Sequence, residues 1–282
     1  MKPILSDPLL EKRLLDQGYV VIPFLSKEEI SDLKTFYYQF NSDKLVGMSA
    51  TAHLPDLEMR MHMNDKIKEV FRRAIEETFV NANALGGSFI AKGKGNTGTL
   101  SPHQDWNIVD EDQFRSFNIW VPLVDLNADN GAICVMPKSH LWAKSFRSVN
   151  IRSAYNDVEP QLWQKMKRLD MKAGEALFYD HRLIHASGEN KTDEIRLAAV
   201  FGIIPDDADM FYYHKKDEKT IEVYESNKEF FLYENIFEGP RKLKKLREIP
   251  YVFPLFTSDQ LDQLESGAKG GFLSRLKSFL NF

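Results

Sequence analysis

The segment Ser101-Pro102-His103-Gln104-Asp105-Trp106 carries two side chains suited to holding one metal ion. On extended backbone, side chains alternate between faces, so His103 and Asp105 project the same way and Gln104 the other. An imidazole nitrogen and a carboxylate oxygen from such a pair form two corners of a two-His, one-carboxylate mount. That mount leaves open positions on the ion and favours non-haem Fe(II). An ordinary hydrogen-bonded His–Asp couple is the competing reading of the pair taken alone.

The third ligand must come from a distant strand. Of the seven histidines, His181 and His185 lie on or beside a later expected strand. His185 is the better choice. It follows Leu183-Ile184, and Arg196 stands eleven positions on, in the next apolar run. A buried guanidinium needs a carboxylate, which it holds through two parallel bonds. No acidic residue stands between Leu197 and Ile204 to neutralise it. A bound dicarboxylate would do so: 2-oxoglutarate could chelate the metal through its 2-oxo acid end while Arg196 grips the far carboxylate.

The rest of the chain must build a body around these residues. It has 282 residues, 37 Lys+Arg against 41 Asp+Glu and a net charge of −4, which gives no footprint for nucleic acid. One cysteine, Cys134, excludes an internal disulfide and a thiolate metal cluster. Met1–Leu10 does not read as a secretory signal, and no stretch approaches the roughly 20 apolar residues of a membrane span. The expectation is a soluble, cytoplasmic protein with one domain over 1–282: helical support in 1–84, a β core in 85–225 with an insertion at 141–170, and a helical extension over 226–282.

Local patterns supply the elements. Asp7–Gln17 reads as a helix with Leu9, Leu10, Leu14 and Leu15 on one side, stopped by Gly18. Tyr19–Ile22 is a strand ending at Pro23, and Ser26–Glu29 is a capping box starting a helix to about Phe40. Met48, Met59, Met61 and Met63 either fill gaps or line a cavity, gap-filling being preferred. Asn64 is expected to cap a third helix carrying Ile67, Val70, Phe71, Ala74, Ile75 and Thr78. Gly93–Gly98 has the spacing of a dinucleotide-binding loop, but Pro102 follows where a helix should open, so it reads as a loop. Strands follow at Ser88–Lys92, Phe117–Leu126, Ala132–Met136 (the return after the Asp129-Asn130-Gly131 turn), Gly174–Tyr179, Leu183–His185 and Ile195–Ile204. A hairpin joins Phe211–His214 to Thr220–Tyr224. The pattern implies a mainly β, closed or double-layer body of jelly-roll type. Helical pieces are expected around Pro160–Arg168 and at Lys228–Phe237, Arg241–Arg247 and Asp259–Leu264. The basic run Arg241–Arg247 is read as a solvated face, with an acidic partner as the alternative. An apolar stripe, Phe272, Leu273, Leu276, Phe279 and Leu280, packs on the body or another subunit, or is disordered; contact with a membrane surface is the weaker alternative.

Four stretches in order carry a resemblance: His103-Gln104-Asp105; Asn130 to His140; Gly174-Glu175-Ala176-Leu177-Phe178; and His185 to Thr192 with Arg196. Across about residues 85–205 the chain resembles the phytanoyl-CoA dioxygenase family. The resemblance implies a double-stranded β-helix (jelly-roll, cupin-like) fold with flanking N- and C-terminal helices, and an oxygenase using Fe(II), 2-oxoglutarate and O₂. By position it puts the metal ligands on His103, Asp105 and His185 and the 2-oxoglutarate arginine on Arg196. Ser187 and Trp120 match positions lining the co-substrate pocket, and Asn118 shares Trp120's face. The family usually has Gly where this chain has Lys138. Related halogenases carry Gly or Ala at the position of Asp105, so the resemblance implies a hydroxylase.

Blander roles stand beside these. Trp120 could be core filling, Ser187 could satisfy nearby backbone, and Trp106 could face substrate or core. His181 reads as a bend residue and His140 as fixing the turn after Pro137; His53, His62 and His214 have no supporting pattern. The substrate is expected to be a small molecule or a carrier-bound acyl group. For a coenzyme A ester, Lys92, Lys94 and Arg152 are candidate cations at the mouth. The alternatives are a jelly-roll that binds metal or ligand without turnover, and a Zn or Mn cupin, which would not need Arg196.

Overall fold

The computed structural model describes residues 2–41, 44–142 and 144–266. In chain order the elements are α1 (Pro8–Gln17), β1 (Tyr19–Pro23), α2 (Lys27–Phe40), β2 (Met48–Ala50), α3 (Leu57–Thr78), β3 (Ala82–Lys92), β4 (Leu100–His103), β5 (Phe117–Pro122), β6 (Ile133–Val135), α4 (Glu159–Lys165), β7 (Lys167–Arg168), β8 (Glu175–Asp180), β9 (His185–Ser187), β10 (Arg196–Pro205), β11 (Met210–Asp217), β12 (Thr220–Ser226), α5 (Lys228–Tyr233), β13 (Lys245–Pro250) and α6 (Ser258–Glu265). A six-stranded sheet runs β1-β8-β5-β10-β3-β2, a four-stranded sheet β4-β9-β6-β7 and a three-stranded sheet β11-β12-β13. Every strand pair is antiparallel. This is the mainly β, double-stranded β-helix type of body with flanking helices.

Period-two alternation decides which residues reach the site. On the six-stranded sheet, Phe89, Ala91, Ile119, Val121, Ala176, Phe178, Leu197, Ala199, Phe201 and Ile203 face one way. They pack against Leu14 of α1, Leu33 and Tyr37 of α2, and Ile67, Val70, Phe71 and Ala74 of α3. The intervening residues face the four-stranded sheet: Trp120, Leu177, Tyr179 and Ala198 meet Ile133 and Val135 of β6. Arg196 shares that inward parity with Ala198 and Val200, which is how a cation at the head of an apolar strand comes to face inward.

Local signals account for the helical layer. Asp7 accepts from the backbone N–H groups of Leu9 and Leu10, and Gly18 ends α1 with φ +84°. The capping box of Ser26 and Glu29 is formed. In α1 only Leu14 is buried, with Leu10 against the core; Leu9 and Leu15 are exposed, so the apolar side is narrower than expected. The third helix begins earlier than expected because Asp56 caps it by accepting from Met59 N–H. Asn64 therefore lies inside α3, where its Oδ1 accepts the N–H of Gly87 at 2.9 Å and ties helix to sheet. The methionines divide: Met63 is core, Met59 packs against it, Met61 is exposed, and Met48 lines the metal-side cavity.

Other differences come from long-range pairing. The expected N-terminal support is not only helical, since β1 and β2 are the edges of the large sheet. The strand from Phe117 stops at Pro122, and the Asn130-Gly131 turn passes the chain to the other sheet, so β6 pairs with β9 and β7 and not with β5. His185 opens β9, with Leu183 and Ile184 before it. The Arg241–Arg247 stretch is a turn followed by β13, because the open edge of β12 offers backbone partners and an acidic row. Lys242, Lys244 and Lys245 pair with Glu234, Glu225 and Glu222. Such exposed pairs contribute little each. The 141–170 segment holds α4 and β7. No helix among the described residues is long and apolar enough to cross a membrane. The stripe Phe272–Leu280 lies outside the described residues.

Phe178 is fully buried between Phe117 and Phe79, with ring centroids 4.9 and 4.7 Å away. Phe178→Ala is expected to lower unfolding free energy by roughly 3–5 kcal/mol through lost burial and a residual cavity. Urea titration followed by circular dichroism measures it.

Candidate metal centre

The register of two short strands brings the first and third candidates together. In the β4–β9 ladder His103 stands directly across from His185, and their ring centroids are 4.3 Å apart. Asp105 lies two residues past the end of β4, held by its N–H donating to the carbonyl of His181 at 2.9 Å. The ligand atoms of His103, Asp105 and His185 all lie within 4.8 Å of one another. Asp105 Oδ1 is 3.8 Å from Nε2 of His103 and 3.8 Å from Nε2 of His185. Neither gap is a hydrogen bond, so three ligand atoms converge without bonding one another. That arrangement suits a shared ion.

Hydrogen bonds outside the cluster point those atoms at each other. His103 Nδ1 lies 2.8 Å from the carbonyl of Ser101, and His185 Nδ1 3.0 Å from that of Leu183. A carbonyl only accepts, so each Nδ1 carries the proton and each Nε2 keeps its lone pair for a metal. Asp105 Oδ2 accepts from Asn118 Nδ2 at 2.8 Å and from the Tyr179 hydroxyl at 3.0 Å. That leaves Oδ1 facing the imidazoles. Burial and the neighbouring His185 push the His103 imidazole down to about 4, so it is neutral near pH 7. Burial works to raise the Asp105 carboxyl, but His185, His181, His103 and the Tyr179 hydroxyl outweigh it and hold it at about 2. A neutral imidazole at His103 and an ionised Asp105 are protonation states that a divalent cation requires.

The cavity beside the cluster has a volume of about 360 Å³. Trp120, Asn118, Ser187 and Arg196 all line it, as the sequence suggested, and so does Trp106. Arg196 is 3% exposed and its Nε has no hydrogen-bond partner. No ion pair to it is formed among the described residues. Its guanidinium lies over the Trp120 ring at 5.2 Å, so Trp120 is a platform for a cation as well as core. Desolvation lowers the Arg196 pKa to about 10 and leaves it charged at neutral pH. An orphaned cation opening on a cavity beside three metal-ligand atoms is the donor set a 2-oxo dicarboxylate would satisfy.

The other histidines fall elsewhere. His181 is buried with Nδ1 2.9 Å from Ser116 Oγ and stands outside the cluster. His140 reaches the carbonyl of Leu15 at 3.0 Å, fastening its turn to the end of α1. Lys138 takes φ +69°, the left-handed conformation that explains a glycine preference there. His53 lines the cavity although no pattern marked it. Tyr179 was also missed; its inward parity with Leu177 on an expected strand was the available signal. None of Lys92, Lys94 and Arg152 lines this cavity. Lys92 is fully buried, Lys94 pairs with Asp193, and Arg152 pairs with Asp157.

Comparisons with known proteins bear on the family and the fold. Residues 14–198, more than half of the chain, match the phytanoyl-CoA dioxygenase (PhyH) family. Dioxygenase trt7 of Aspergillus terreus is 26% identical over 191 residues, covering 63% of this chain and 62% of that protein. A phytanoyl-CoA dioxygenase of Arabidopsis thaliana is 30% identical over 123 residues, 42% of this chain and 43% of that one. The chain thus spans less than two thirds of the length of either relative. Among solved structures, the non-haem α-ketoglutarate-dependent carbocyclase SnoK from nogalamycin biosynthesis superposes with a TM-score of 0.52 at 20% identity, over 72% of this chain and 86% of that one. The epimerase SnoN, in complex with Fe³⁺, α-ketoglutarate and nogalamycin RO, gives 0.51 at 19% identity, over 90% and 98%. These likenesses support the fold. With the family matched across both ligand strands and Arg196, the chain belongs to the phytanoyl-CoA dioxygenase family.

Proposed function

We propose that this chain is an Fe(II)- and 2-oxoglutarate-dependent dioxygenase that hydroxylates an unactivated C–H bond of a small molecule or acyl-type substrate. The observation that carries the reading is the orphaned Arg196 guanidinium, buried beside a His–Asp–His cluster and open to the same cavity. A catalytic Zn or Mn cupin would have no use for that cation.

His103, Asp105 and His185 would hold the iron, and Arg196 the distal carboxylate of 2-oxoglutarate. With O₂ as the oxidant, the bound iron would couple oxidation of 2-oxoglutarate to succinate and CO₂ with hydroxylation, one oxygen atom entering succinate and the other the product. The chain's own residues orient and shield. Asn118 and Tyr179 keep Asp105 Oδ2 occupied and Oδ1 aimed inward. Burial and the adjacent carboxylate raise the Tyr179 phenol well above its ordinary value, so it remains a donor. Met48, Ala50, Ala52, Ile90 and Val200 give the cavity apolar walls. Its size lies in the range of small-molecule sites. The carboxylate of Asp105 fills the position that a halogenase leaves open for halide, which favours hydroxylation.

The protein loaded anaerobically with Fe(II) should release succinate from 2-oxoglutarate on exposure to O₂, and ¹⁸O₂ should label the product of an accepted substrate. A protein that binds both and never yields succinate, over a broad substrate panel, would be the non-catalytic alternative. His185→Ala should abolish turnover and lower metal affinity by at least about 100-fold, read by competition with a chromophoric chelator. Arg196→Ala should raise the KM for 2-oxoglutarate by roughly 100-fold while metal affinity stays near wild type; an unchanged KM would remove Arg196 from the site. Asn118→Ala, which removes one of the two donors to Asp105 Oδ2, should weaken metal binding by about 10-fold in the same competition assay.

A further inference from the structure

Lys92 ends β3 and stands directly across from Arg196 in the β3–β10 ladder. It is fully buried. An ammonium has three N–H donors. Here they reach Ser187 Oγ at 2.6 Å, the Ser187 carbonyl at 3.1 Å and the Gly188 carbonyl at 2.7 Å. All three acceptors are neutral. Burial and the neighbouring Arg196 push the Lys92 ammonium down to about 7. Two basic side chains thus sit side by side in the interior, and an entering anion would favour the charged form of Lys92.

The slot for this lysine is built. A Cβ on Gly98 would stand 3.1 Å from Lys92 Cγ, and one on Gly131 would stand 3.0 Å from Lys92 Cδ. The stem therefore runs between two positions where any side chain would crowd it. Gly131 also needs its positive φ of +70° to make the turn. Asn190 Nδ2 donates to the Lys92 carbonyl at 3.0 Å and fixes the strand end. Lys92 itself does not line the metal-side cavity, whereas Ser187 does, together with Arg196.

We propose that Lys92 is a positioning residue for the co-substrate, acting through Ser187. A hydroxyl has one proton and accepts through its oxygen. With Oγ receiving the Lys92 N–H, the Ser187 proton is turned away from the lysine and into the cavity. There it donates to the carboxylate that Arg196 grips. The ammonium behind Ser187 strengthens that donor and adds a second positive charge for a doubly charged ligand. The proposal rests on the reading of Arg196 as the 2-oxoglutarate anchor.

The test compares two acids of equal chain length, 2-oxoglutarate and 2-oxovalerate, the second bearing a methyl group in place of the distal carboxylate. Binding to the Fe(II)-loaded, full-length chain is measured anaerobically by titration calorimetry, with metal affinity measured separately. Lys92→Met is expected to weaken 2-oxoglutarate by about 10-fold and leave 2-oxovalerate and Fe(II) within about 2-fold. Ser187→Ala should give the same selective loss, and the double variant should be no weaker than the weaker single one. Equal losses for both acids would mean a merely structural lysine and overturn the proposal, as would additive losses in the double variant. Should Lys92→Met fail to fold, Ser187→Ala decides, since it leaves the slot intact: unchanged 2-oxoglutarate affinity overturns the proposal. A wild-type protein that binds both acids equally sinks the Arg196 reading itself, which is a different result.

Discussion

A guanidinium without a counter-ion is the constraint on which the interior is arranged. Arg196 opens β10, an interior strand of the large sheet, with apolar neighbours following it, and nothing the chain itself supplies among the described residues neutralises it. Protein interiors rarely tolerate that. The surroundings reduce the penalty without removing it. Trp120 offers its ring face, and the cavity leaves room for an anion. A site that keeps an unmet charge is pre-set for a ligand that meets it.

The metal cluster shows the same logic with opposite sign. Asp105 is a carboxylate whose pKa is raised by burial and lowered by its histidine neighbours and the Tyr179 hydrogen bond, and two donors engage one of its oxygens. Both ligand imidazoles have Nδ1 held by a carbonyl, and Nε2 of His185 also lies 3.4 Å from the Tyr179 hydroxyl. The cation at Arg196 and the carboxylate of Asp105 border the same cavity, with Lys92 behind Ser187. A 2-oxo dicarboxylate, with one end for a metal and the other for a guanidinium, spans those two demands.

The helical layer contributes by burying one face of the large sheet, so that the other face can be hollow. Phe89, Phe178 and Phe201 pack outward against α1, α2 and α3. Their strand neighbours Ser88, Tyr179 and Val200 turn inward and line the cavities there or hold the ligands. Strict alternation allows one strand to serve stability and chemistry at once.

By itself the sequence determined whatever depends on neighbours a few residues away. The His103–Asp105 pair follows from the period of an extended strand, α1 and α2 from their caps, and the inward face of β5 from the spacing of Asn118 and Trp120. His185 was legible through its distance from Arg196 and the absence of a local acid. Tertiary structure decided what depends on partners from far along the chain. His53 carries no local mark, and the parity of Tyr179 and the charge of Lys92 do not name their partners, which lie 74 and 95 residues away at Asp105 and Ser187. The 241–247 stretch became turn and strand because β12 had an open edge for it. The Asn130-Gly131 turn led to the other sheet because its local geometry sets the bend and leaves the destination to long-range pairing. Local propensity is a matter of tenths of a kcal/mol per residue, and the pairing of a whole strand or the neutralisation of a buried charge outweighs it.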